Sequence, residues 1–567
     1  MLRRCLAAFP AVTAAVFIVP VVIGLIGTWL PAFGYLPALG AERLTWAHWE
    51  YLLTHPSVPT AARHTLISAW GSTLLSLLAA LTLLALTWRS RTLRWLRRSL
   101  SGLLAIPHAA FAIGIVALLA PSGWLIKLAS PALTGWELPP IFSLVRDPWA
   151  ISLMFVLALK ETPFIIFMTL AALQQLQVGR SLQMGRSLGY TEFMAWRRII
   201  LPQLLPLLRL PLFAVLAYGV SVVDLALIVG PSAPSTLAVL VDRWFNHPDI
   251  LRRLPGSAGA TLLLVLTVLS LGLWWLLEKL WLRLSRPHWD SGQRRSALHW
   301  LARPAEGLSL LLIGSALAAF MVLVVWSFAF RWGFPDPLPQ SWTLRFWERG
   351  WTRLQQPFWL TLWTGLAAAV IGLVLVVGCL EHEVTLRRRR PGFTGPKLFW
   401  LIYVPLIVPQ IAFLFGIQVV LVWFNLDGNW LALLWSHLMF VVPYLFLSLS
   451  GPYRNFDDRY VRQAMLLHGG EWCALSRVKW PMLLRPLCYV TALGFAVSLA
   501  QYLPTLYVGS GRFATLTTET VSIAGGGDRR LVGVYALTQW LLPMLIYSLA
   551  LLVPAWCFRH RRGMRLQ

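Results

Sequence analysis

The stretch LSLLLIGSALAAFMVLVVWSFAF, residues 308–330, holds no charged side chain and is long enough to cross a bilayer as one helix. Lipid offers backbone N–H and C=O groups no water, so such a run is stable only as a helix that pairs these groups internally. Similar runs recur along the 567-residue chain, which is 58% hydrophobic and 12% charged. Ordinary soluble domains carry about 25% charged residues, so the sequence predicts a membrane protein.

Twelve such runs predict an all-α, polytopic fold with about twelve transmembrane helices. They cover residues 9–28, 66–88, 103–120, 149–173, 208–229, 258–277, 308–330, 358–379, 398–424, 430–449, 488–508 and 532–556.

The net charge of +26 is compatible with nucleic-acid binding or with the positive-inside rule of membrane proteins. Lys and Arg are concentrated in alternate segments between the spans, as in residues 94–98 and 387–390. This distribution favours the second interpretation. It predicts no nucleic-acid partner, a location in a lipid bilayer, and both termini in the cytoplasm.

Short matches between the two halves indicate an internal repeat. Pro202 matches Pro481, Gly230 matches Gly509 and Thr236-Leu237 matches Thr515-Leu516 at an offset of 279 residues, while Pro107 matches Pro409 and Gly114 matches Gly416 at 302 residues. The repeat predicts a first lobe at residues 1–283, a cytoplasmic linker at 284–307 and a second lobe at 308–567. Six spans per lobe give both lobes the same orientation, with a shared pathway between them.

The sequence GYTEFMAWRRIILP, residues 189–202, lies between the fourth and fifth spans. Gly189 is suited to end one helix in the left-handed conformation, and Thr191 to cap a short second helix that Pro202 ends. Phe193 and Trp196, three residues apart, are expected on one side of that short helix. We call residues 181–202 the first elbow and their counterpart, residues 460–481, the second elbow.

The second elbow places Trp472 and Leu475 at the same spacing, followed by Val478 and Pro481. Each half is therefore expected to present one pair of apolar side chains to the cytoplasm. An alternative interpretation is that each elbow is an amphipathic helix resting on the lipid surface. Two elbows at matching positions of a duplicated protein favour a protein partner.

The pattern of a glycine, nine residues, Ile, one residue and Leu-Pro, formed by Gly189, Ile199, Leu201 and Pro202, resembles the cytoplasmic loop motif of ABC importer permeases. The resemblance covers residues 62–557 and is greatest to fused permeases of the thiamine and ferric-iron type. It implies that the elbows are coupling helices that dock on an ATPase dimer, and that a substrate-binding protein delivers a small solute to the outer face. ATP and Mg would be used by the ATPase, with no cofactor bound by this chain. The resemblance also implies a location in a bacterial cytoplasmic (inner) membrane.

The sequence departs from the family motif at several positions. The Glu-Ala-Ala that opens the motif is replaced by residues 183–185 (Gln-Met-Gly) and 462–464 (Arg-Gln-Ala), and His468 precedes a late Gly469. The residues to which the resemblance assigns ATPase coupling are Gly189, Thr191, Phe193, Trp196, Ile199, Leu201, Pro202, Gly469, Trp472, Leu475, Val478 and Pro481.

Recognisable catalytic motifs are missing from the sequence. It has no phosphate-binding Gly-x-x-x-x-Gly-Lys-Ser/Thr loop, no His-Glu-x-x-His zinc spacing and no Gly-x-Ser-x-Gly nucleophile turn. These observations disfavour a membrane-embedded enzyme and predict a transport subunit without catalytic or metal-binding residues, which depends on a separate ATPase.

Polar side chains within the spans are candidates for the substrate pathway, because such residues usually face a cavity or a partner. The candidates are Lys160, Glu161, Ser221, Asp224, Ser498, Gln501 and Tyr502. The alternative is that they bond neighbouring helices, with Lys160 and Glu161 each having a separate partner. His108 is interpreted as a helix-packing residue. A secondary transporter driven by an ion gradient through Lys160, Glu161 and Asp224 remains the rival function.

Overall fold

The computed structural model describes residues 2–88, 90–286, 294, 302–389, 401–468 and 470–559. Over these residues the fold is almost entirely α-helical, as predicted. One short antiparallel hairpin pairs β1 (Ala329–Arg331) with β2 (Ser341–Trp342). The predicted linker, residues 284–307, lies largely outside the described residues, so the proposed lobe boundaries stay a prediction.

The helices of the first half are α1 (Leu2–Ala32), α2 (Ala47–Thr54), α3 (Ser57–Thr87), α4 (Arg91–Ala105), α5 (His108–Leu119), α6 (Trp124–Ala129), α7 (Ile151–Leu173), α8 (Val178–Ser187), α9 (Glu192–Ala195), α10 (Leu201–Ser221), α11 (Asp224–Val229), α12 (Leu237–Phe245) and α13 (Arg253–Leu284).

Those of the second half are α14 (Ala302–Phe328), α15 (Arg345–Arg389), α16 (Val404–Ile407), α17 (Gln410–Trp423), α18 (Trp430–Arg454), α19 (Asp458–His468), α20 (Glu471–Ala474), α21 (Trp480–Met482), α22 (Leu484–Leu499), α23 (Leu503–Val508), α24 (Leu516–Ala524) and α25 (Arg529–Cys557).

Ten helices of the described chain are long and apolar enough to span a membrane, and two bent helix pairs raise the number to as many as twelve. The bent pairs are Leu401–Ile407 with Gln410–Trp423, at 104°, and Glu471–Met482 with Leu484–Leu499, at 75°. The predicted number of about twelve spans is therefore confirmed when each bent pair counts as one.

The prediction of unbroken spans at residues 103–120 and 398–424 is wrong. The chain leaves the helical conformation at Ile106 and at Val408, each of which is extended. Both residues precede a proline, Pro107 or Pro409, whose ring disfavours the helical conformation of the residue before it. The same sequence feature thus breaks the helix at equivalent points of the two halves.

The spans predicted at residues 208–229 and 488–508 are also interrupted. Helix α10 ends at Ser221, and α11 begins at Asp224 after an extended Val222. In the second half α22 ends at Leu499 and α23 begins at Leu503, with a proline in its first turn. Unpaired backbone groups at membrane depth are tolerated where they border a cavity, and both breaks do so.

The two halves interlock through their first helices. Helix α1 packs on α17, and α14 packs on α5, so that each half holds the first helix of the other. The contacts are close because Gly416 of α17 lies against Gly24 and Gly27, and Gly114 of α5 lies against Ala319. Since Gly114 and Gly416 are matched residues of the repeat, the same small-residue crossing forms twice.

A second equivalent contact joins α3 to α12 and α15 to α24. The backbone N–H of Leu237 donates to Oγ1 of Thr65, and that of Leu516 donates to Oγ1 of Thr361, both at 2.9 Å. These bonds satisfy backbone N–H groups at the start of α12 and α24 that have no partner within their own helix. They also identify Thr65 and Thr361 as equivalent residues of the two halves. Each residue of α3 can therefore be matched to one of α15 by counting from these two threonines.

Candidate functional site

The first elbow is a helix, a turn and a second helix that continues into a span. Helix α8 ends at Ser187, and Gly189 adopts the left-handed conformation with φ of +82°, as the sequence predicts. Thr191 occupies the capping position of α9, but its side chain makes no capping hydrogen bond. The predicted position of Thr191 is therefore correct, whereas the predicted capping contact is absent.

The expectation that Pro202 ends the short helix is wrong. Residues Trp196–Ile200 form one turn of π-helix, in which the N–H of Leu201 bonds to the carbonyl of Trp196. Pro202 then lies in the first turn of α10, where its missing N–H costs least. The wider π turn thus carries the chain from α9 directly into the span α10.

The second elbow repeats this arrangement in the same register. Helix α20 leads into a π turn at Leu475–Lys479, which lies 279 residues after the first. Pro481 lies in the first turn of α21, and the chain then bends by 75° into α22. Val478 is partly buried within the π turn, and Gly469 lies outside the described residues.

The predicted pairs of exposed apolar residues are wrong in one member each. Trp196 and Leu475 are 2% and 1% exposed, whereas Trp472 is 57% exposed and Phe193 is partly exposed. Trp196 turns inward onto Trp88 of α3, with ring centroids 5.3 Å apart. Each predicted pair therefore leaves one aromatic side chain at the surface, Phe193 or Trp472, because the other position begins the π turn that packs against the neighbouring span.

Small residues let the two helices of each elbow approach closely. A Cβ on Gly185 would lie 2.9 Å from the Cβ of Ala195. In the second elbow Ala464 and Ala474, at the matching positions, belong to one buried cluster. Gly185 and Ala464 occupy the last position of the altered family motif, so the requirement for a small residue is retained there.

A cavity of about 160 Å³ lies between the lobes, beside the helix breaks after Ser221 and Leu499. Six of the seven predicted pathway residues line it, namely Lys160, Glu161, Ser221, Asp224, Gln501 and Tyr502. The lining also includes His108, Tyr218, Gln410 and Tyr444. Sequence reasoning missed Tyr218, Gln410 and Tyr444 as lining residues. The sequence around a single polar residue in a span does not show toward which neighbour its side chain points.

Lys160 and Glu161 have separate partners, as predicted. Lys160 Nζ donates to the carbonyl of Leu103 at 3.2 Å, and Glu161 Oε1 lies 3.3 Å from His108 Nε2. The His108 side chain thus joins α5 to α7 at the wall of the cavity, in addition to its packing against Tyr218.

Ser498 does not line the cavity. Its Oγ lies 2.8 Å from Nδ1 of His437, whose Nε2 lies 3.0 Å from Oγ1 of Thr505. This buried chain of hydrogen bonds links α18, α22 and α23 within the second half. Ser498 is therefore placed in the interior of one lobe, and its predicted direction toward the path is wrong.

A larger cavity, of about 1730 Å³, lies on the side of the molecule that carries the elbows. It shares Phe167, Met168 and Ser448 with the smaller cavity, so the two adjoin. Arginines 97, 209, 387, 454 and 485 contribute to its lining. Arg209 Nε is bonded to Glu278 at 2.9 Å, and Glu383 pairs with Arg387 at 2.7 Å and Arg454 at 2.9 Å, so two carboxylates partly offset these charges.

The opposite side of the smaller cavity is closed by contacts between the halves. The rings of Phe245 and Phe415 stack with centroids 4.2 Å apart, and Tyr507 meets Phe245 edge-on. Tyr507 also donates a hydrogen bond to Asp242. The smaller cavity thus adjoins open space toward the elbows and packed side chains away from them.

Two interlocked halves of membrane-spanning helices around a central cavity with polar side chains in its wall define a multi-pass membrane transport protein. No family model matches the sequence. The chain is 31% identical over 524 residues to the inner membrane ABC transporter permease protein YnjC of Escherichia coli K12, covering 92% of this chain and 93% of that protein. It is also 26% identical over 217 residues to the thiamine transport system permease protein ThiP of Salmonella typhimurium LT2, covering 37% and 39% of the two chains.

The chain belongs to the ABC transporter permeases and is related to those of the thiamine type. It is accordingly a multi-pass inner membrane protein and a transport subunit.

Proposed function

We propose that this chain is the permease subunit of an ATP-driven importer, which takes up a small solute delivered by a binding protein on the outer face. Two ATPase subunits would act on residues 181–202 and 460–481, with both elbows and both termini in the cytoplasm. The observation that carries the proposal is the recurrence of one unusual feature, a π turn, in the same register of both elbows.

The proposed mechanism is a two-state switch. When the ATPase subunits close on ATP and Mg, they draw the elbows together and rotate the lobes, so that the cavity opens toward the binding protein. Hydrolysis then returns the protein to the state open toward the cytoplasm. Continuity of each π turn with a span supports the first step, because a displaced elbow pulls on α10 or, through α21, on α22.

The solute is proposed to pass through the smaller cavity between the lobes. Asp224, at the start of α11, and Gln501 and Tyr502, just before α23, approach it from opposite halves. Groups supplied by both lobes separate when the lobes rotate, so a solute held between them in one state is released in the other. The nature of the solute does not follow from these residues.

The rival function, a gradient-driven carrier that uses Lys160, Glu161 and Asp224, has less support. Lys160 and Glu161 are bonded within the first half, to Leu103 and His108. Such a carrier also gives no reason for two matching elbows. Uptake that is abolished by an uncoupler while ATP is held constant would favour this rival.

Copurification tests the proposal directly. An ATPase purified with the wild-type chain should be lost from the double variant Phe193→Asp/Trp472→Asp, since a carboxylate at each exposed aromatic position disfavours an apolar contact. Trp95→Asp, which changes an aromatic residue of α4 that is 51% exposed, serves as the matched control and should retain the ATPase. Equal recovery from wild type and the double variant would contradict the proposed docking surface.

A further inference from the structure

Behind the second elbow lies a buried ion pair. Lys479, the last residue of the second π turn, is fully buried, and its Nζ lies 2.5 Å from Oε2 of Glu381 on α15. The hydroxyl of Tyr453 on α18 donates to the same oxygen at 2.7 Å. Nζ also lies 4.1 Å from the centroid of the Tyr453 ring. The lysine is thus held by both a carboxylate and an aromatic face.

A cation of α15, Arg388, binds the two helices of the elbow. Arg388 donates to both carboxylate oxygens of Asp458 on α19, at 2.8 and 2.9 Å, and its Nη1 lies 3.8 Å from Glu471 on α20. Burial alone would raise the pKa of Asp458, but the hydrogen bonds and charge of Arg388 outweigh it and lower that pKa. Helix α15 therefore contacts both helices of the second elbow and its π turn through charged side chains.

The first elbow is held to its neighbouring span by different chemistry. Counting from the paired residues Thr65 and Thr361, Glu381 corresponds to Ala85, and Lys479 corresponds to Ile200 at the offset of 279 residues. No ion pair is possible between these two positions. Trp196 and Trp88 make the contact there, with ring centroids 5.3 Å apart.

The aromatic contact in turn has no counterpart in the second half. Leu475 occupies the position of Trp196, and Val384 occupies that of Trp88. Two smaller side chains cannot fill the space of two indole rings. The ion pair thus occurs in the half in which the large apolar contact is missing.

Stability alone does not account for a buried pair of charges. Removing both charges from water is costly, and replacing such a pair by apolar side chains of similar volume is often neutral or stabilising. A charge-assisted hydrogen bond, however, is stronger than a neutral one, and separating the pair would leave two buried charges unpaired. Those properties suit a contact that must transmit displacement between a π turn and a span.

We propose that the Lys479–Glu381 ion pair is the positioning contact through which movement of the second elbow displaces α15, as the Trp196–Trp88 contact does for α3 in the first half. This inference rests on the proposed function, in which an ATPase moves the elbows. The two elbows would then be coupled to the membrane helices by unlike contacts, one apolar and one ionic, within a single chain.

The test measures displacement of α15 in the complete complex. The chain and its copurified ATPase are placed in lipid nanodiscs, after replacement of the five native cysteines. Nitroxide labels are attached at Leu78→Cys and Val374→Cys, exposed positions thirteen residues beyond the paired threonines of α3 and α15. Pulsed electron paramagnetic resonance then gives the distance between the labels with and without ATP and vanadate.

The variants are Lys479→Met, Glu381→Gln and the double variant Lys479→Met/Glu381→Met. We expect the wild type to show a nucleotide-dependent change in distance, and these variants to lose more than half of it while still binding the ATPase. Lys479→Arg, which keeps the charge, and Ile200→Met, at the matching position of the first half, should behave as wild type. A purely structural role would lower the yield of folded protein without removing the change in distance.

The remaining outcomes distinguish failure of this inference from failure of the proposed function. Single variants leave one buried charge unpaired and are prone to misfold, so the double variant, which buries no charge at this point, is decisive. A double variant with the full wild-type change in distance would overturn the inference and leave the proposed function standing. If the wild type itself binds no ATPase or shows no change with nucleotide, the proposed function fails and this inference fails with it.

Discussion

The hydroxyl of Tyr507, in the second half, donates a hydrogen bond to Oδ1 of Asp242, in the first half, at 3.0 Å. Nδ2 of Asn246 donates to the same oxygen at 3.1 Å. The stacked rings of Phe245 and Phe415 lie beside this pair. The side of the cavity away from the elbows is therefore closed by a buried polar contact embedded in aromatic packing, and opening it requires that both be broken.

Replacing Tyr507 by Phe should favour opening on this side. The change removes one donor to a buried carboxylate, a bond worth about 1.5–3 kcal/mol, or roughly tenfold or more in the equilibrium. A cysteine at Gln501, which lines the cavity, should then react faster with a membrane-impermeant thiol reagent added from outside. Tyr460→Phe, at an exposed position of α19, is the control. An unchanged rate would show that the Asp242 contact does not hold the closure.

Gly416→Ala should destabilise the contact between α1 and α17. An added Cβ would overlap the carbonyl oxygen of Gly24, and overpacking of this kind costs about 1–3 kcal/mol. Gly272→Ala, in α13, adds the same atom where nothing lies within 4 Å, and should be neutral or slightly stabilising. The melting temperatures of the detergent-purified variants check this, and equal values for the two would contradict it.

Substitutions at Trp196 and Phe193 should distinguish a residue that packs inside the chain from one that docks on the ATPase. Trp196→Ala leaves a void against Trp88 and should cost about 3–5 kcal/mol, seen as a lower melting temperature of the purified chain. Phe193→Ala, at a partly exposed position, should leave the melting temperature near wild type but weaken retention of the ATPase. The reverse pattern would mean that Trp196, not Phe193, is the surface residue.

Asp224→Asn should reduce ATP-dependent uptake without loss of the assembled complex. The substitution keeps the shape of the side chain but removes its negative charge from the cavity wall. The measurement compares uptake and ATPase retention with those of Asp249→Asn, an exposed position. Wild-type uptake by the Asp224 variant would remove this residue from the solute path.

Several features of the fold could be predicted because they depend on local sequence. The spans follow from uninterrupted apolar runs, and Gly189 follows from the tolerance of glycine for positive φ. The prolines at 107 and 409 mark the helix breaks in the sequence, but the apolar runs continue across both and by themselves predict unbroken spans. Hydrophobic length alone therefore overestimates the continuity of a helix.

The candidate site was less predictable because it depends on the direction in which each side chain points from its helix. Helical spacing placed Trp196 beside Phe193 on the surface, but the π turn directs Trp196 inward. Ser498 is a candidate for the pathway because it is a polar residue in the same span as Gln501, yet the hydrogen bond to His437 holds Ser498 within its own lobe. In both cases a tertiary contact overrode the local periodicity.

By itself the sequence determined that this chain crosses a membrane many times, that its halves repeat one another, and that each half carries an elbow ending in a Pro-containing turn. Those properties reside in composition, length and spacing, which a linear chain displays directly. Only the tertiary structure decided which polar groups meet between the lobes, and that one elbow is held by Trp88 and the other by Glu381. These partners lie about a hundred residues away along the chain, and only helix packing brings them within contact distance.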